Sequence, residues 1–340
     1  MVQFNPPLQI LQTFEIIDEI IQKVNEDSLI QFVNNLTGID PVNINNEISY
    51  IKTRHRDFLG NEIAAIYIEN TLQNFGLEIE VQQFSDTGKN IIATQVGDTY
   101  PDRRYILCAH YDSMPNMRIS PGADDNASGV AVVLEAARII SKYLSEYSIT
   151  YILWDEEEQG ALGSFGFVHD EAYRDSREIL GVINIDMVGW DGNNDSIVLV
   201  NTRDIGSSVD LSNRVFEINN NHSINLNPQV LHPGYGSDNL PFWYNGISAI
   251  GIEEHYGSDW NPNYHTIYDE FSQFNISYFY RNAKLSIGVL ASFALISNSN
   301  LNIDKEKSYL DYKLLQNYPN PFNPITFIKY YIPNDNNVTI

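Results

Sequence analysis

At 340 residues, with 43% hydrophobic and 12% aromatic residues, the chain is long enough for one large α/β domain and a small appendage. Its 44 acidic residues outnumber the 20 basic ones and give a formal charge of −24, which disfavours nucleic acid as a partner. No apolar stretch is long enough to predict a membrane span, and the single Cys108 excludes an internal disulfide framework.

Helical and strand patterns alternate along most of the chain. Apolar spacing predicts one or two amphipathic helices over 8–36 and another helix over 60–75 that ends at Gly76. The remaining predicted elements follow in chain order: strands 77–84, 90–96 and 105–109, helix 129–144, strand 149–154, helix 163–170, strands 180–186 and 196–201, helix 210–219, strand 249–252 and helix 276–296. This alternation predicts an α/β fold with a doubly wound, mainly parallel mixed sheet flanked by helices.

The composition becomes polar after the last predicted helix. We therefore predict a main domain over residues 1–300, with a helical lead-in at 1–36, followed by a linker over 301–314. Residues 315–340 form a proline-rich tail with one predicted strand over 327–332, which is too little for an independent sheet.

Acidic and histidine residues recur at the ends of predicted strands or in turns after them. Because an α/β sheet gathers functional groups at such strand ends, and because carboxylates with imidazoles suit zinc, these residues predict a two-metal hydrolase. They are His110 with Asp112, Asp124 with Asp125, Glu157 with Glu158, Asp186 and His265.

Each of these motifs also has a structural interpretation. In His110-Tyr111-Asp112, the aspartate can orient a metal-bound imidazole, although a single histidine is more often structural. The adjacent acids in 122–129 (GADDNASG) can supply a carboxylate that bridges two metals, or they can cap a helix. The run 155–158 can supply one ligand and one general base, or it can be a solvated turn.

Five motifs over about residues 30–297, HYDS, GADDNASG, EEEQGALGS, NIDM and NYHT, resemble the M28 family of co-catalytic zinc peptidases. That family is represented by secreted bacterial leucyl-type aminopeptidases, and the resemblance implies the zinc-dependent exopeptidase, or phosphorylase/hydrolase-like, fold. It also implies two zinc ions, with a cis peptide bond at Asp124–Asp125. The implied metal ligands are His110, Asp124, Asp186, Glu158 and His265, with Asp124 as the bridge.

The same resemblance implies three further roles. Glu157 is expected to be the general base, Asp112 the partner of the metal-bound His110, and Tyr264 the group that stabilises the oxyanion. The segment 236–239 resembles the family's S-D-H segment, with Asn239 where histidine is common. Aromatic residues that either line the substrate pocket or pack in the core are Tyr235, Trp243 and Trp260.

The predicted function is that of an aminopeptidase that removes the N-terminal residue of peptides through a metal-bridging water activated by Glu157. A glutaminyl-cyclase-like enzyme with one zinc and a carboxypeptidase on the same fold are the alternatives. A non-catalytic surface protein that keeps the peptidase scaffold is a third.

The tail LLQNYPNPFNPITFIKYYIP resembles the opening of the C-terminal sorting domain of type IX secretion. This resemblance implies an exported bacterial protein, secreted or at the cell surface, with the type IX machinery as a partner. We expect the chain to be a fragment that lacks a signal peptide and the end of the sorting domain. A proline- and asparagine-rich disordered tail is the alternative.

Overall fold

A computed structural model describes residues 8–170, 177–257 and 259–297, together with the short stretches 313–314 and 330–331. The chain divides into a unit over Met1–Ser297 and a unit over Asn298–Ile340. The first unit contains the whole of the candidate site.

The first unit begins with two helices and a small hairpin. Helix α1 spans Leu8–Gln22, and helix α2 spans Glu26–Leu36. The side chain of Asn25 accepts a hydrogen bond from the Ser28 amide and so caps the start of α2. Strands β1 (Val42–Ile44) and β2 (Glu47–Ser49) then pair antiparallel. The predicted helical lead-in is therefore a pair of helices, and its buried side chains belong to the main core.

Helices and strands alternate through the rest of this unit, as the sequence predicts. The helices are α3 (Leu59–Asn74), α4 (Gly129–Ile140), α5 (Leu162–His169), α6 (Ser208–Asn221), α7 (Leu240–Tyr244) and α8 (Ile276–Ala294). The strands are β3 (Glu78–Gln83), β4 (Lys89–Gln95), β5 (Tyr100–His110), β6 (Leu144–Ser145), β7 (Tyr147–Trp154), β8 (Glu178–Asp186), β9 (Ile197–Asn201), β10 (Asn227–Leu231), β11 (Ala249–Glu253) and β12 (Ile296–Ser297).

Eight strands form one mixed sheet in the order β10-β9-β11-β8-β5-β7-β4-β3. The four central strands β11, β8, β5 and β7 are parallel to their neighbours within this group. Antiparallel pairs occur at β9–β11, β7–β4 and β4–β3. The prediction of a mainly parallel mixed sheet flanked by helices is confirmed, and the carboxyl ends of four strands meet at one edge.

Helices cover both faces of the sheet. Successive residues of β5 enter different core clusters: Leu107 packs in the larger cluster with α4 and α8, whereas Cys108 packs in the smaller one with Trp154 and Phe167. Helix α4 is buried along nearly its whole length. Each large apolar side chain buried in this way stabilises the fold by about 1.5–3 kcal/mol.

Several elements differ from the predictions. Helix α4 ends at Ile140 rather than at 144, and the next residues form a short turn and β6. Strand β10 was not predicted, because its Asn-Pro start reads as a turn. Helix α7 was also missed because it is only five residues long.

In the second unit, the described residues show strands β13 (Lys313–Leu314) and β14 (Tyr330–Tyr331) paired antiparallel. Most of the predicted linker and tail, and most of the strand predicted over 327–332, lie outside the described residues. Among the helices that the structure describes, none combines the length and apolar character needed to cross a membrane.

Candidate active site

The predicted site residues meet at the carboxyl edge of the four parallel strands. His110 is the last residue of β5, and Asp186 is the last residue of β8. Glu157 and Glu158 stand in a short 3-10 turn after β7, and His265 lies in the loop between β11 and α8. The fold therefore brings together residues that are up to 155 positions apart in the printed sequence.

One carboxylate lies between two imidazoles at the centre of the site. Asp125 Oδ1 is 3.2 Å from His110 Nε2, and Asp125 Oδ2 is 3.2 Å from His265 Nε2. A second acid contacts the same nitrogen of each imidazole, with Asp186 Oδ1 3.3 Å from His110 Nε2 and Glu158 Oε2 2.7 Å from His265 Nε2. These five side chains form two groups of three that share Asp125, and each group could hold one metal ion.

The structure corrects the prediction that Asp124 is the bridging ligand. Its Oδ1 accepts a hydrogen bond from the Gly189 amide at 2.7 Å, and its Oδ2 accepts one from Asn261 Nδ2 at 3.0 Å. Both oxygens are thus occupied by the protein, and Asp125 takes the central position instead. The expected cis peptide bond is also one residue later, at Asp125–Asn126.

The loop that carries Asp125 is anchored from two sides. The carboxylate of Asp269 accepts hydrogen bonds from the amides of Asp124 and Asp125, each at 3.0 Å. The fully buried guanidinium of Arg54 donates to four backbone carbonyls that surround this loop and the end of β5. Those carbonyls belong to Leu36, Tyr111, Pro121 and Gly122.

Asp112 connects the His110 imidazole to the turn after β7. Its Oδ1 is 3.3 Å from His110 Nδ1, which is the arrangement expected for a residue that orients a ligand imidazole. Its two oxygens also accept hydrogen bonds from the amides of Glu157 and Glu158, each at 3.1 Å. One buried carboxylate therefore positions both a candidate ligand and the candidate base.

Glu157 lines the cavity, and its carboxylate has a hydrogen-bond partner in Ser237. Ser237 Oγ donates a hydrogen bond to Glu157 Oε1 at 2.9 Å. Burial raises the pKa of Glu157 to about 7; the nearby His110 imidazole opposes this shift and the Asp186 carboxylate adds to it. The geometry suits a group that accepts and returns a proton.

The negative charge around the two imidazoles raises their pKa values. Burial alone would lower the pKa of His110, but the carboxylates of Asp186, Asp112 and Asp125 raise it well above its usual value. Burial likewise opposes the shift at His265, whose hydrogen bonds to Asp125 and Glu158 raise its pKa to about 10. The buried carboxylates carry an excess of negative charge. Protonated imidazoles offset part of this charge, and a divalent cation would offset more of it.

These groups line a cavity of about 170 Å³. Its described lining contains five carboxylates and no lysine or arginine: His110, Asp125, Glu157, Glu158, Asp186, Met187, Gly236, Ser237, Glu253, Tyr256, Trp260 and Tyr264. Tyr264 stacks on His265 with ring centroids 3.7 Å apart and so lies beside the candidate ligands.

The aromatic candidates separate into pocket and core. Trp260 lines the cavity and contacts Tyr256 and Tyr264 at centroid distances of 4.9 and 4.8 Å. Trp243 is buried in the smaller core cluster instead, where its indole donates to the Ala249 carbonyl. Tyr235 is exposed and is not part of the cavity lining.

Sequence reasoning missed two acids at this site. Asp125 was grouped with Asp124 but given no role of its own. Glu253 was not singled out, although it follows the apolar run 249–252 directly, which is the signal that identified Asp186. Burial and the Asp186 charge raise the pKa of Glu253, while the neighbouring Asn201 opposes the shift.

A family model with the description "Peptidase family M28" matches residues 90–290, which is more than half of the chain and includes all the candidate metal ligands and Glu157. The chain belongs to peptidase family M28. The predicted membership of this family is confirmed.

Two curated relatives match shorter segments. Aminopeptidase YwaD from Bacillus subtilis (strain 168) is 34% identical over 172 residues, or 49% of this chain and 36% of that protein. A probable zinc metalloprotease from Pyrenophora tritici-repentis (strain Pt-1C-BFP) is 42% identical over 105 residues, or 29% of this chain and 24% of that protein. The chain thus spans about a third or less of these relatives.

Solved structures share the M28 fold at low identity. The LapA aminopeptidase of Legionella pneumophila superimposes with a TM-score of 0.69 and 21% identity, covering 82% of this chain and 75% of that one. A glutaminyl cyclase from Bacteroides thetaiotaomicron gives a TM-score of 0.62 and 20% identity, covering 80% and 97%. These likenesses confirm the fold.

Proposed function

We propose that this M28 chain is an aminopeptidase that uses two zinc ions to remove the N-terminal residue of peptides. The observation that carries the proposal is the position of Asp125, whose two oxygens each face a different imidazole. Relatives named aminopeptidase and zinc metalloprotease support both the activity and the metal.

The donor set fits zinc. Imidazole nitrogens and carboxylate oxygens are ligands that zinc prefers. Glu158 Oε1 and Asp186 Oδ1 are buried atoms without a hydrogen-bond partner in the described structure, so both retain capacity for a cation. One ion would be held by His110, Asp125 and Asp186, and the other by Asp125, Glu158 and His265.

The bound ions would supply Lewis acidity, which polarises the scissile carbonyl group and lowers the pKa of water. Glu157 would accept the proton of the attacking water and return it to the leaving amine. The hydrogen bond from Ser237 fixes one oxygen of Glu157 and leaves the other for this transfer. The Tyr264 phenol would donate to the developing oxyanion.

The charge of the cavity favours an aminopeptidase over a carboxypeptidase. A carboxypeptidase needs a cationic group that binds the substrate's terminal carboxylate, and the described lining contains neither lysine nor arginine. Those acids of the lining that belong to neither group of candidate metal ligands suit an ammonium group instead. The basic residue Arg54 lies behind the site and is committed to backbone carbonyls.

The cyclase and the non-catalytic scaffold are weaker alternatives. A single-zinc cyclase does not require a carboxylate shared between two imidazoles, whereas Asp125 has that position here. A scaffold without activity does not require an oriented Glu157 carboxylate beside the candidate metal ligands.

Glu157→Gln provides the decisive experiment. With zinc-loaded protein and a panel of aminoacyl p-nitroanilides, we expect release that a chelator abolishes and zinc restores. The Gln variant should bind zinc like the unaltered protein and lose at least 1000-fold in kcat, since it cannot accept the proton. Glu178→Gln, at the opposite end of β8, is the charge-matched control and should remain active. Full turnover in the Glu157→Gln variant would refute the mechanism.

We also propose that the chain is exported through the type IX machinery, with residues 315–340 as the start of the sorting signal. The support is the match of the tail LLQNYPNPFNP to such domains. Expression of the parent gene in a host that has this machinery, with and without an intact machinery, would test the proposal. Equal amounts of extracellular protein in both strains would contradict it.

A further inference from the structure

Glu253 is an acid that lines the cavity but belongs to neither group of candidate metal ligands. It is the last residue of β11, and only 3% of its surface is exposed. In the parallel pairing of β11 with β8, Glu253 lies directly opposite Asp186. Residues opposite one another in neighbouring strands project from the same face, about 4.8 Å apart. Glu253 therefore stands beside a candidate ligand.

One oxygen of this carboxylate has no partner. Glu253 Oε2 is buried and makes no hydrogen bond within the described structure. A buried carboxylate without a partner is costly, so a fold retains one mainly where a ligand supplies the missing donor. The cavity offers no lysine or arginine side chain among its described lining to do this. The amide of the neighbouring Asn201 is neutral, so a positive charge that balances this carboxylate comes from outside the chain.

We propose that Glu253 binds the free α-ammonium group of the substrate and thereby requires an unblocked N-terminus. This inference rests on the proposed aminopeptidase function and assigns the residue that selects its substrate class. The α-nitrogen lies about 2.5 Å from the scissile carbonyl carbon, across two covalent bonds. A carboxylate next to Asp186 is close enough to reach this nitrogen while the carbonyl group remains at the centre of the site.

The amino group of a lysine side chain is a less suitable occupant of this position. Its nitrogen is six covalent bonds from the scissile carbonyl carbon, four more than the α-nitrogen, and would reach beyond a carboxylate next to Asp186. The α-ammonium is also common to every peptide with a free N-terminus. Glu253 therefore sets the requirement for an amine, and the aromatic side of the cavity contacts the first side chain.

Binding of two isosteric probes to zinc-loaded protein tests the proposal without turnover. Calorimetry compares 3-methylbutan-1-amine, which is a cation, with 3-methylbutan-1-ol, which is neutral. We expect the unaltered protein to bind the amine at least tenfold more tightly than the alcohol. Glu253→Gln should remove this difference and leave the affinity for the alcohol unchanged. Glu178→Gln is the control for net charge and should behave like the unaltered protein.

Three outcomes would overturn the proposal. They are an unchanged affinity of the Gln variant for the amine, an equal loss of affinity for both probes, and a loss of zinc that metal analysis detects. If the Gln variant does not fold, Glu253→Asp keeps the charge and shortens the side chain. Weaker binding of the amine alone supports the proposal in that case, and unchanged binding refutes it.

The amine site and the proposed activity can fail separately. Amine binding that depends on Glu253, in a protein that hydrolyses no aminoacyl p-nitroanilide, would refute the aminopeptidase and support the site. Hydrolysis of these substrates with an unchanged KM in Glu253→Gln would support the aminopeptidase and refute the site.

Discussion

Ser237 donates its hydroxyl hydrogen to Oε1 of Glu157 across a distance of 2.9 Å. Ser237 lies in the loop before α7, 80 positions after Glu157 in the sequence. The contact holds the carboxylate in one orientation toward the cavity. A general base acts efficiently only when it lies within hydrogen-bond reach of the proton that it removes, so this contact has a direct kinetic consequence.

Replacement of Ser237 by alanine should slow turnover without changing metal content. A hydrogen bond to a charged group contributes about 1.5–3 kcal/mol, so we expect kcat to fall roughly tenfold or more. Steady-state kinetics with an aminoacyl p-nitroanilide measure the effect. Ser237→Thr, which keeps the hydroxyl, should recover most of the rate. Equal rates in the Ala and Thr variants would show that the hydroxyl does not orient Glu157.

Asp125→Asn and Asp124→Asn should differ in metal binding although the residues are adjacent. Asp125 faces both imidazoles, whereas Asp124 accepts hydrogen bonds from Gly189 and Asn261. We expect the Asp125 variant to lose binding of both ions and the Asp124 variant to retain it. Zinc per chain, measured by elemental analysis after dialysis, distinguishes the two. The reverse result would restore Asp124 as the bridging ligand.

The different roles of Asp124 and Asp125 could not be predicted from the sequence, whereas the strands beside them could. Apolar periodicity predicted the strands that end at His110 and Asp186, because a buried strand has a recognisable pattern. The choice between Asp124 and Asp125 depends on side-chain direction in an irregular loop. That direction is set by contacts with Gly189, Asn261 and Asp269, none of which is near in sequence.

The contacts of Ser237 and Glu253 are also set by the tertiary fold. Glu253 reaches the site through the pairing of β11 with β8, and Ser237 through the approach of the loop before α7 to Glu157. Local pattern reveals neither contact. Local periodicity likewise does not predict the strand order of the sheet. By contrast, the positions of His110, Asp112 and the turn at Glu157 could be predicted from the sequence, because these residues lie at the ends of strands or directly after them.

Replacement of Asp112 by asparagine should weaken zinc binding. Asp112 lies 3.3 Å from His110 Nδ1 and accepts hydrogen bonds from the amides of Glu157 and Glu158. Loss of a residue that orients a ligand imidazole typically costs about 10–100-fold in metal affinity. Competition with a chromophoric chelator measures the change. Unaltered affinity would mean that the backbone alone positions His110.

Removal of zinc should lower the thermal stability of the protein. Ligand at 1000 times its Kd stabilises a folded protein by about 4 kcal/mol. At roughly 2 °C per kcal/mol for a large domain, the expected decrease in Tm is on the order of 8 °C. Differential scanning calorimetry before and after chelation provides the measurement. Magnesium at the same concentration should restore little, since imidazole suits it poorly. An unchanged Tm on chelation would contradict a tightly bound ion.

Arg54→Lys should destabilise the protein strongly. The buried guanidinium donates to four carbonyls, whereas an ammonium group cannot reach all of them. Each buried carbonyl without a partner costs about 1–3 kcal/mol, so we expect the free energy of unfolding to fall by about 3 kcal/mol or more. Urea unfolding measures this change. Arg103→Lys, at an exposed pair with Glu178, should change it by less than about 1 kcal/mol, and equal effects would refute the argument.

The loop between β11 and α8 supplies His265 and Tyr264 to the site, and through Asn261 and Asp269 it also holds the segment that carries Asp125. For protein engineering, these two segments form one transferable unit. A chimaera that exchanges 259–270 with a relative must exchange 122–128 as well, or the interlocking donors and acceptors will not match. Tyr256 and Trp260 make none of these anchoring contacts, so libraries that alter substrate preference can vary them while the metal-binding framework stays intact.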